Sequence, residues 1–118
     1  MKIYVAHSRE IDYAKDLYEP LRKSELNNQH EIILPHEAQG WTNSKEILKQ
    51  CSLVIADVTF PSTGEGIEMG WANLFGARII CIYKKGAKPS SSLKAVSEDF
   101  VEYSSSEELI QKLTELIP

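Results

Sequence analysis

Leu53-Val54-Ile55-Ala56-Asp57-Val58-Thr59-Phe60-Pro61-Ser62-Thr63-Gly64-Glu65-Gly66-Ile67-Glu68-Met69-Gly70-Trp71-Ala72 is the stretch on which the reading of the fold turns. Leu53 to Ile55 is a short apolar run of the kind shown by a strand buried on both faces. The chain then turns through Pro61-Ser62-Thr63-Gly64 and re-emerges as a helix. Ser62 with Glu65 three residues on is a capping-box signature for that helix start. Strand, glycine-bearing turn and helix N-terminus together make a place where backbone N–H groups and the helix dipole meet an anion.

Working outward, Lys2 to Ala6 reads as the first strand. From Glu10 to Leu26, Ile11, Ala14, Leu17, Tyr18 and Leu21 recur at helical spacing. Pro20 lies inside that pattern, so a kink or a restart with Pro20 in a first turn is expected. Asn27-Asn28 closes the helix, Glu31 to Leu34 is a second strand, and His36 to Trp41 is loop. Asn43 with Glu46 caps a short helix through Ile47, Leu48 and Cys51. After the central unit, whose helix offers Ile67, Trp71, Leu74 and Phe75 as its apolar stripe, Gly76 is the stop. Arg78 to Tyr83 is the fourth strand, Ser90 to Val96 a short helix and Phe100 to Tyr103 the last strand. Ser105 with Glu108 caps a final helix with Leu109, Ile110, Leu113, Leu116 and Ile117 on its face.

Strands that alternate with helices and are nearly all apolar mean a parallel sheet covered on both sides. Right-handed crossovers then give a three-layer, doubly wound α/β sandwich of the flavodoxin-like kind, five strands in the order 2-1-3-4-5. The ligand of such a sheet sits beyond the carboxyl ends of its strands, at the switch point between strands 1 and 3. His7-Ser8-Arg9 and the Asp57 to Gly66 segment meet there.

The 118 residues make one domain, with 42% apolar and 25% charged residues as in ordinary globular proteins. The formal charge of −4 argues against binding polymeric nucleic acid, which calls for a basic face. No apolar run is long enough to span a membrane, and Met1-Lys2-Ile3 opens no charged-then-apolar leader. Cys51 and Cys81 form no Cys-x-x-Cys pair, and His7, His30 and His36 share no metal-ligand spacing. The expectation is a reduced, cytoplasmic protein without a metal.

Several residues carry two readings. Glu68 is either a dipole partner in a helix start or a carboxylate nucleophile, with Gly66 and Gly70 clearing space beside it. Ser62 is an N-cap or a ligand group, and Asp57 a turn residue or a polar group facing the site. Ser8-Arg9 caps the first helix or holds a phosphate. Tyr4 reads as a core aromatic, and Trp41 and Trp71 read as packing residues, with the floor of a nucleobase pocket as the alternative for either.

The run Ala56-Asp57-Val58, then Pro61-Ser62-Thr63-Gly64-Glu65-Gly66-Ile67-Glu68-Met69-Gly70-Trp71-Ala72, resembles the signature of the nucleoside 2-deoxyribosyltransferase superfamily. Within it the chain is most similar to the 2'-deoxynucleoside 5'-monophosphate N-glycosidases, with weaker likeness at Ile3-Tyr4-Val5-Ala6 and Arg78-Ile79-Ile80-Cys81. The resemblance implies that Glu68 attacks C1' of the sugar to give a covalent glycosyl-enzyme, with Tyr4 orienting its carboxylate. It implies a phosphate site from Ser8, Arg9, Ser62, Gly64 and Gly66, a serine (Ser92) from a neighbouring subunit, and hence a homodimer. Asp57 is carried as a further catalytic candidate, the substrate is a small nucleotide, and no cofactor is implied.

The sequence departs from that pattern at Ser44, where the family has an aspartate that protonates the departing base. His7 stands where the family tends to have glycine. His7, Glu37 and Asp57 are the candidate substitutes for the missing acid. Two other functions fit the same residues: a nucleotide-binding sensor with weak chemistry, motivated by Ser44, and a deoxyribosyltransferase, disfavoured by Ser62.

Overall fold

The computed structural model describes residues 1–37 and 43–118. Five parallel strands form one sheet in the order β2-β1-β3-β4-β5: β1 (Lys2–His7), β2 (Glu31–Ile33), β3 (Leu53–Asp57), β4 (Arg78–Lys84) and β5 (Asp99–Tyr103). This is the expected flavodoxin-like architecture, in the expected order. β1 pairs with β3 from Ile3↔Leu53 to His7↔Asp57, so the carboxyl ends of these two strands lie side by side. The alternation of side chains along each strand divides the core in two. Ile3, Val5, Leu53, Ile55, Ile80 and Ile82 face one layer of helices, with Leu109 and Leu113 among their partners. Tyr4, Ala6, Val54, Ala56 and Cys81 face the other, with Leu48, Met69 and Ala72.

The helices are α1 (Glu19–Lys23), α2 (Glu25–Gln29), α3 (Ser44–Leu48), α4 (Thr63–Leu74) and α5 (Ser106–Leu116), with a 3₁₀ turn over Ser91–Ala95. The long first helix expected over Glu10 to Leu26 is broken into pieces. A π-helical turn covers Ala14–Tyr18, closed by the Glu19 N–H donating to the Ala14 carbonyl five residues back. Pro20 follows in the first turn of α1. Proline cannot donate to the carbonyl four residues before it, and the turn ahead of it widens to the i→i−5 pattern. A second break falls at Ser24, whose extended backbone (ψ 161°) separates α1 from α2 while its hydroxyl donates to the Leu21 carbonyl at 2.7 Å. The second segment then runs through Asn27-Asn28 to Gln29.

α4 corrects the stripe read from its sequence. Glu65, Met69 and Ala72 are the residues turned to the sheet. Ile67 is 49% and Leu74 79% exposed. Trp71 and Phe75 are partly buried at the flank, where Lys45 and Lys49 of the α3 segment lie over their rings at 5.7 and 5.8 Å. The small Ala72 and flexible Met69 let the helix settle close to the strands, and the wider side chains are left to its sides. Beyond α4, Gly76 takes φ +85°, a left-handed conformation that glycine adopts without strain. Cys51 and Cys81 are buried free thiols. Among the described residues no helix is long and apolar enough to cross a membrane.

Candidate active site

A cleft of about 690 Å³ opens at the carboxyl end of the sheet, walled by the loop after β1, by Ser44 and by the first two turns of α4. On its floor, β1 and α4 meet through one hydrogen bond: the Tyr4 hydroxyl donates to Glu68 Oε2 at 2.5 Å. Tyr4 is 1% exposed. Burial, and then its bond to Glu68, push its hydroxyl far above the usual tyrosine range, so it remains a donor; the Ser44 side chain acts in the opposite sense. A tyrosine fixed in a strand thus fixes the rotamer of a cleft carboxyl on a helix.

Ser62 caps α4, its Oγ accepting the Glu65 N–H at 3.3 Å. Its hydroxyl proton stays available to a ligand, so the cap and ligand readings are compatible. Ser62, Gly64, Ser8 and Arg9 all line the cleft. Ser8 is 3% exposed, and its Oγ accepts the Glu10 N–H at 2.9 Å, a local turn that sets the loop after β1. A Cβ at Gly64 would meet nothing within 4 Å, which leaves open space over this first turn. Gly66 instead borders a second cavity of about 210 Å³ behind α4, and there too stand Ser92 and Ser90. Gly70 is exposed and lines neither cavity. The structure therefore gathers Tyr4, Glu68, Ser8, Arg9, Ser62 and Gly64, and sets Gly66 and Ser92 apart from them.

Asp57 is 0% exposed and lies beneath the cleft. Its Oδ2 accepts from the Tyr103 hydroxyl at 2.5 Å and its Oδ1 from the Thr59 N–H at 3.0 Å, the bond of a turn residue. The other candidate acids are also engaged. Glu37 accepts two bonds from Arg22, at 2.6 and 2.9 Å. His7 makes a closed network: Nδ1–H donates to the Ser8 carbonyl at 2.9 Å, and Nε2 accepts from the Tyr18 hydroxyl at 2.7 Å. Tyr18 in turn accepts the His36 N–H at 3.1 Å, which directs its own proton to His7 and defines the neutral tautomer. Burial lowers the His7 pKa, in keeping with that tautomer.

Some residues packed around His7 carry no signal in the sequence pattern. Tyr13 stacks on His7 at 4.5 Å between centroids and lies 5.1 Å from Tyr18. The widened turn before Pro20 puts these two tyrosines together, an i,i+5 pair that α-helical spacing places on different faces. His36 lies 5.2 Å from the His7 ring and lines the cleft. Trp71 lines it as well, whereas Trp41 falls outside the described residues. Glu65 departs furthest from its sequence reading. Its N–H is capped, but its carboxyl does not return to close the capping box; it is turned inward, 3% exposed, with Oε2 unpartnered among the described residues.

No protein-family model matches the chain. The human 5-hydroxymethyl-dUMP N-hydrolase shares 46% identity over 39 residues, which is 33% of this chain and 22% of that relative. Among solved structures, the CMP N-glycosidase BcmB of Clostridium botulinum superposes with a TM-score of 0.75 at 23% identity, over 99% of this chain and 100% of that one. A conserved protein from Enterococcus faecalis V583 follows with a TM-score of 0.68 at 17% identity, over 99% of each chain. The chain thus shares, from end to end, the fold of these two proteins.

Proposed function

We propose that this chain is a nucleotide N-glycosidase, which cleaves the bond between base and sugar in a nucleoside 5'-monophosphate. The observation that carries the reading is the Tyr4–Glu68 hydrogen bond, set in a cleft whose rim is the Ser62-capped start of α4. The two named relatives support it, one being a hydrolase of 5-hydroxymethyl-dUMP and the other a glycosidase of CMP. Glu68 attacks C1' while the C1'–N electron pair passes to the base, which takes up a proton and departs. Water then attacks C1' of the glycosyl-enzyme, loses a proton and frees Glu68, the two-displacement course of retaining glycosidases. Tyr4 holds the carboxylate in line, and Ser62, Ser8, Arg9 and the open turn at Gly64 hold the phosphate. Nucleophile and positioning groups are side chains, so no cofactor takes part.

The test is incubation with a panel of ribo- and deoxyribonucleoside monophosphates, followed by chromatography for free base. Base should appear with the natural chain and not with Glu68→Ala; equal release by both would remove Glu68 from the reaction. Ser44 supports a second reading, a nucleotide sensor, because it places a hydroxyl in the cleft where the resembled enzymes have an acid. Tight binding of a monophosphate without turnover over hours would favour that reading. The working form proposed is a homodimer, supported by Ser92 standing outside the cleft of its own chain and by exposed Ile67 and Leu74 on α4. Sedimentation equilibrium at micromolar concentration tests it.

A further inference from the structure

Glu65 is the least explained group in the molecule. It lines both the cleft and the smaller cavity behind α4, yet its Oε2 has no partner among the described residues. A buried polar atom left unpaired is costly, so its place calls for a reason. The charged groups that act on it most are carboxyls: Asp57 at the end of β3 and Glu68 one turn along α4. Cys81 of β4 lies near it on the sheet side. Around the cleft stand Arg9 and Glu10, the neutral His7, and His36, and Lys88 borders the rear cavity. Burial first, then the charges of Asp57 and Glu68, raise its pKa to about 9. A carboxyl that keeps its proton has one O–H to give. It sits in the turn that Ser62 caps, next to Gly64 with its open space, and Ser62, Ser8 and Arg9 line the same cleft as donors.

We propose that Glu65 works as a neutral acid and donates its O–H to the phosphate of the substrate, making the anion site dependent on a proton held by the protein. This rests on the phosphate reading above. An ionised Glu65 would instead face the phosphate as a buried like charge. Binding and proton retention are then linked: phosphate seats on the protonated form and is expelled as Glu65 ionises.

The experiment is calorimetric titration with ribose 5-phosphate, and with ribose as control, from pH 7.5 to pH 10, where the phosphate is already a dianion. For the natural chain, affinity should weaken about tenfold by pH 10, one unit above the pKa of Glu65. Glu65→Gln, a permanent neutral donor, should bind comparably at pH 7.5 and lose the alkaline fall, and Glu65→Leu should bind weakly at every pH. As a check independent of the variants, the infrared spectrum of the natural chain at pH 7.5 should hold a protonated-carboxyl band that bleaches as pH rises through about 9. An alkaline fall unchanged in Glu65→Gln overturns the inference while leaving the phosphate reading intact. So does a collapse of kcat in Glu65→Gln with binding preserved, since that marks a proton donor to the base. Ribose 5-phosphate binding no better than ribose overturns both.

Discussion

α4 and α5 begin with the same signature, serine followed three residues later by glutamate, and the two glutamates meet opposite ends. At α5 the glutamate turns back over the helix start: Ser105 Oγ accepts the Glu108 N–H at 3.1 Å, and Glu108 Oε1 accepts the N–H of Ser104, the residue before the cap, at 2.9 Å. At α4 only the serine half forms, and Glu65 is folded under the helix. Their acidities diverge accordingly. The bond from Ser104 N–H holds Glu108 below the usual carboxylate range, whereas burial lifts Glu65 to about 9. One helix start is built for stability, and the other bears a buried carboxyl that stability alone does not require. Local pattern specifies the cap, and only the position over the sheet decides what the glutamate does.

The largest effect should appear one turn beyond the start of α4, and none at the same step along α5. Glu68→Ala should lower base release on the order of 10⁴-fold or more in a chromatographic assay. Gln111→Ala, the same step along α5, should leave it unchanged; comparable losses would erase the distinction between the two helices. Tyr4→Phe comes next. Losing a hydrogen bond to a carboxylate is worth about 1.5–3 kcal/mol, which places the fall in kcat at roughly 10- to 100-fold with KM little altered.

Stability against pH then separates Glu65 from Glu108 by sign. The folded-state pKa of Glu65 is raised, so its contribution is whole below its ordinary value of 4.5 and lost as pH climbs to about 9. Glu65→Gln should therefore become steadily more stable than the natural chain across that window, by on the order of 3 kcal/mol at pH 7. The folded-state pKa of Glu108 is depressed, so its stabilisation is present at neutral pH and disappears as pH falls through the carboxylate range. Glu108→Gln should be slightly less stable at pH 7 and match the natural chain in acid. Urea midpoints across pH 3 to 9 check both, and parallel curves for the two variants would defeat the comparison. Smallest are the caps: Ser62→Ala and Ser105→Ala should each cost about 1 kcal/mol by the same measurement. Only the former should also weaken monophosphate binding.

Topology was legible because β1, β3 and β4 are too apolar to be anything but two-sided strands, and because Ser62, Ser105 and Asn43 mark their helices by direct bonds. The start of the chain was less so. Pro20 announces a disturbance, but the π-helical turn that results, and the meeting of Tyr13, Tyr18 and His7, depend on packing against β1. The stripe of α4 was misread for a related reason: hydrophobicity picked out Ile67 and Leu74, whereas closeness to the sheet selected Ala72, Met69 and the carboxyl of Glu65. At the cleft, Tyr4 and Glu68 stand 64 residues apart, and no local pattern joins them. Their link came from likeness to a motif, and the structure supplies its geometry.

The pairing of β1 with β3 also governs how the molecule comes into being. Ile3 registers with Leu53 and His7 with Asp57, so the strand made first has its central partner some fifty residues later. Until that partner is available, β1 can pair only with the three-residue β2, at the edge of the sheet. Pairing across such separations is slow because loop closure precedes the contacts that reward it. Tyr4 meets Glu68 only after both β3 and the start of α4 are in place. Any collapsed state that forms before β1 and β3 pair therefore has no assembled cleft.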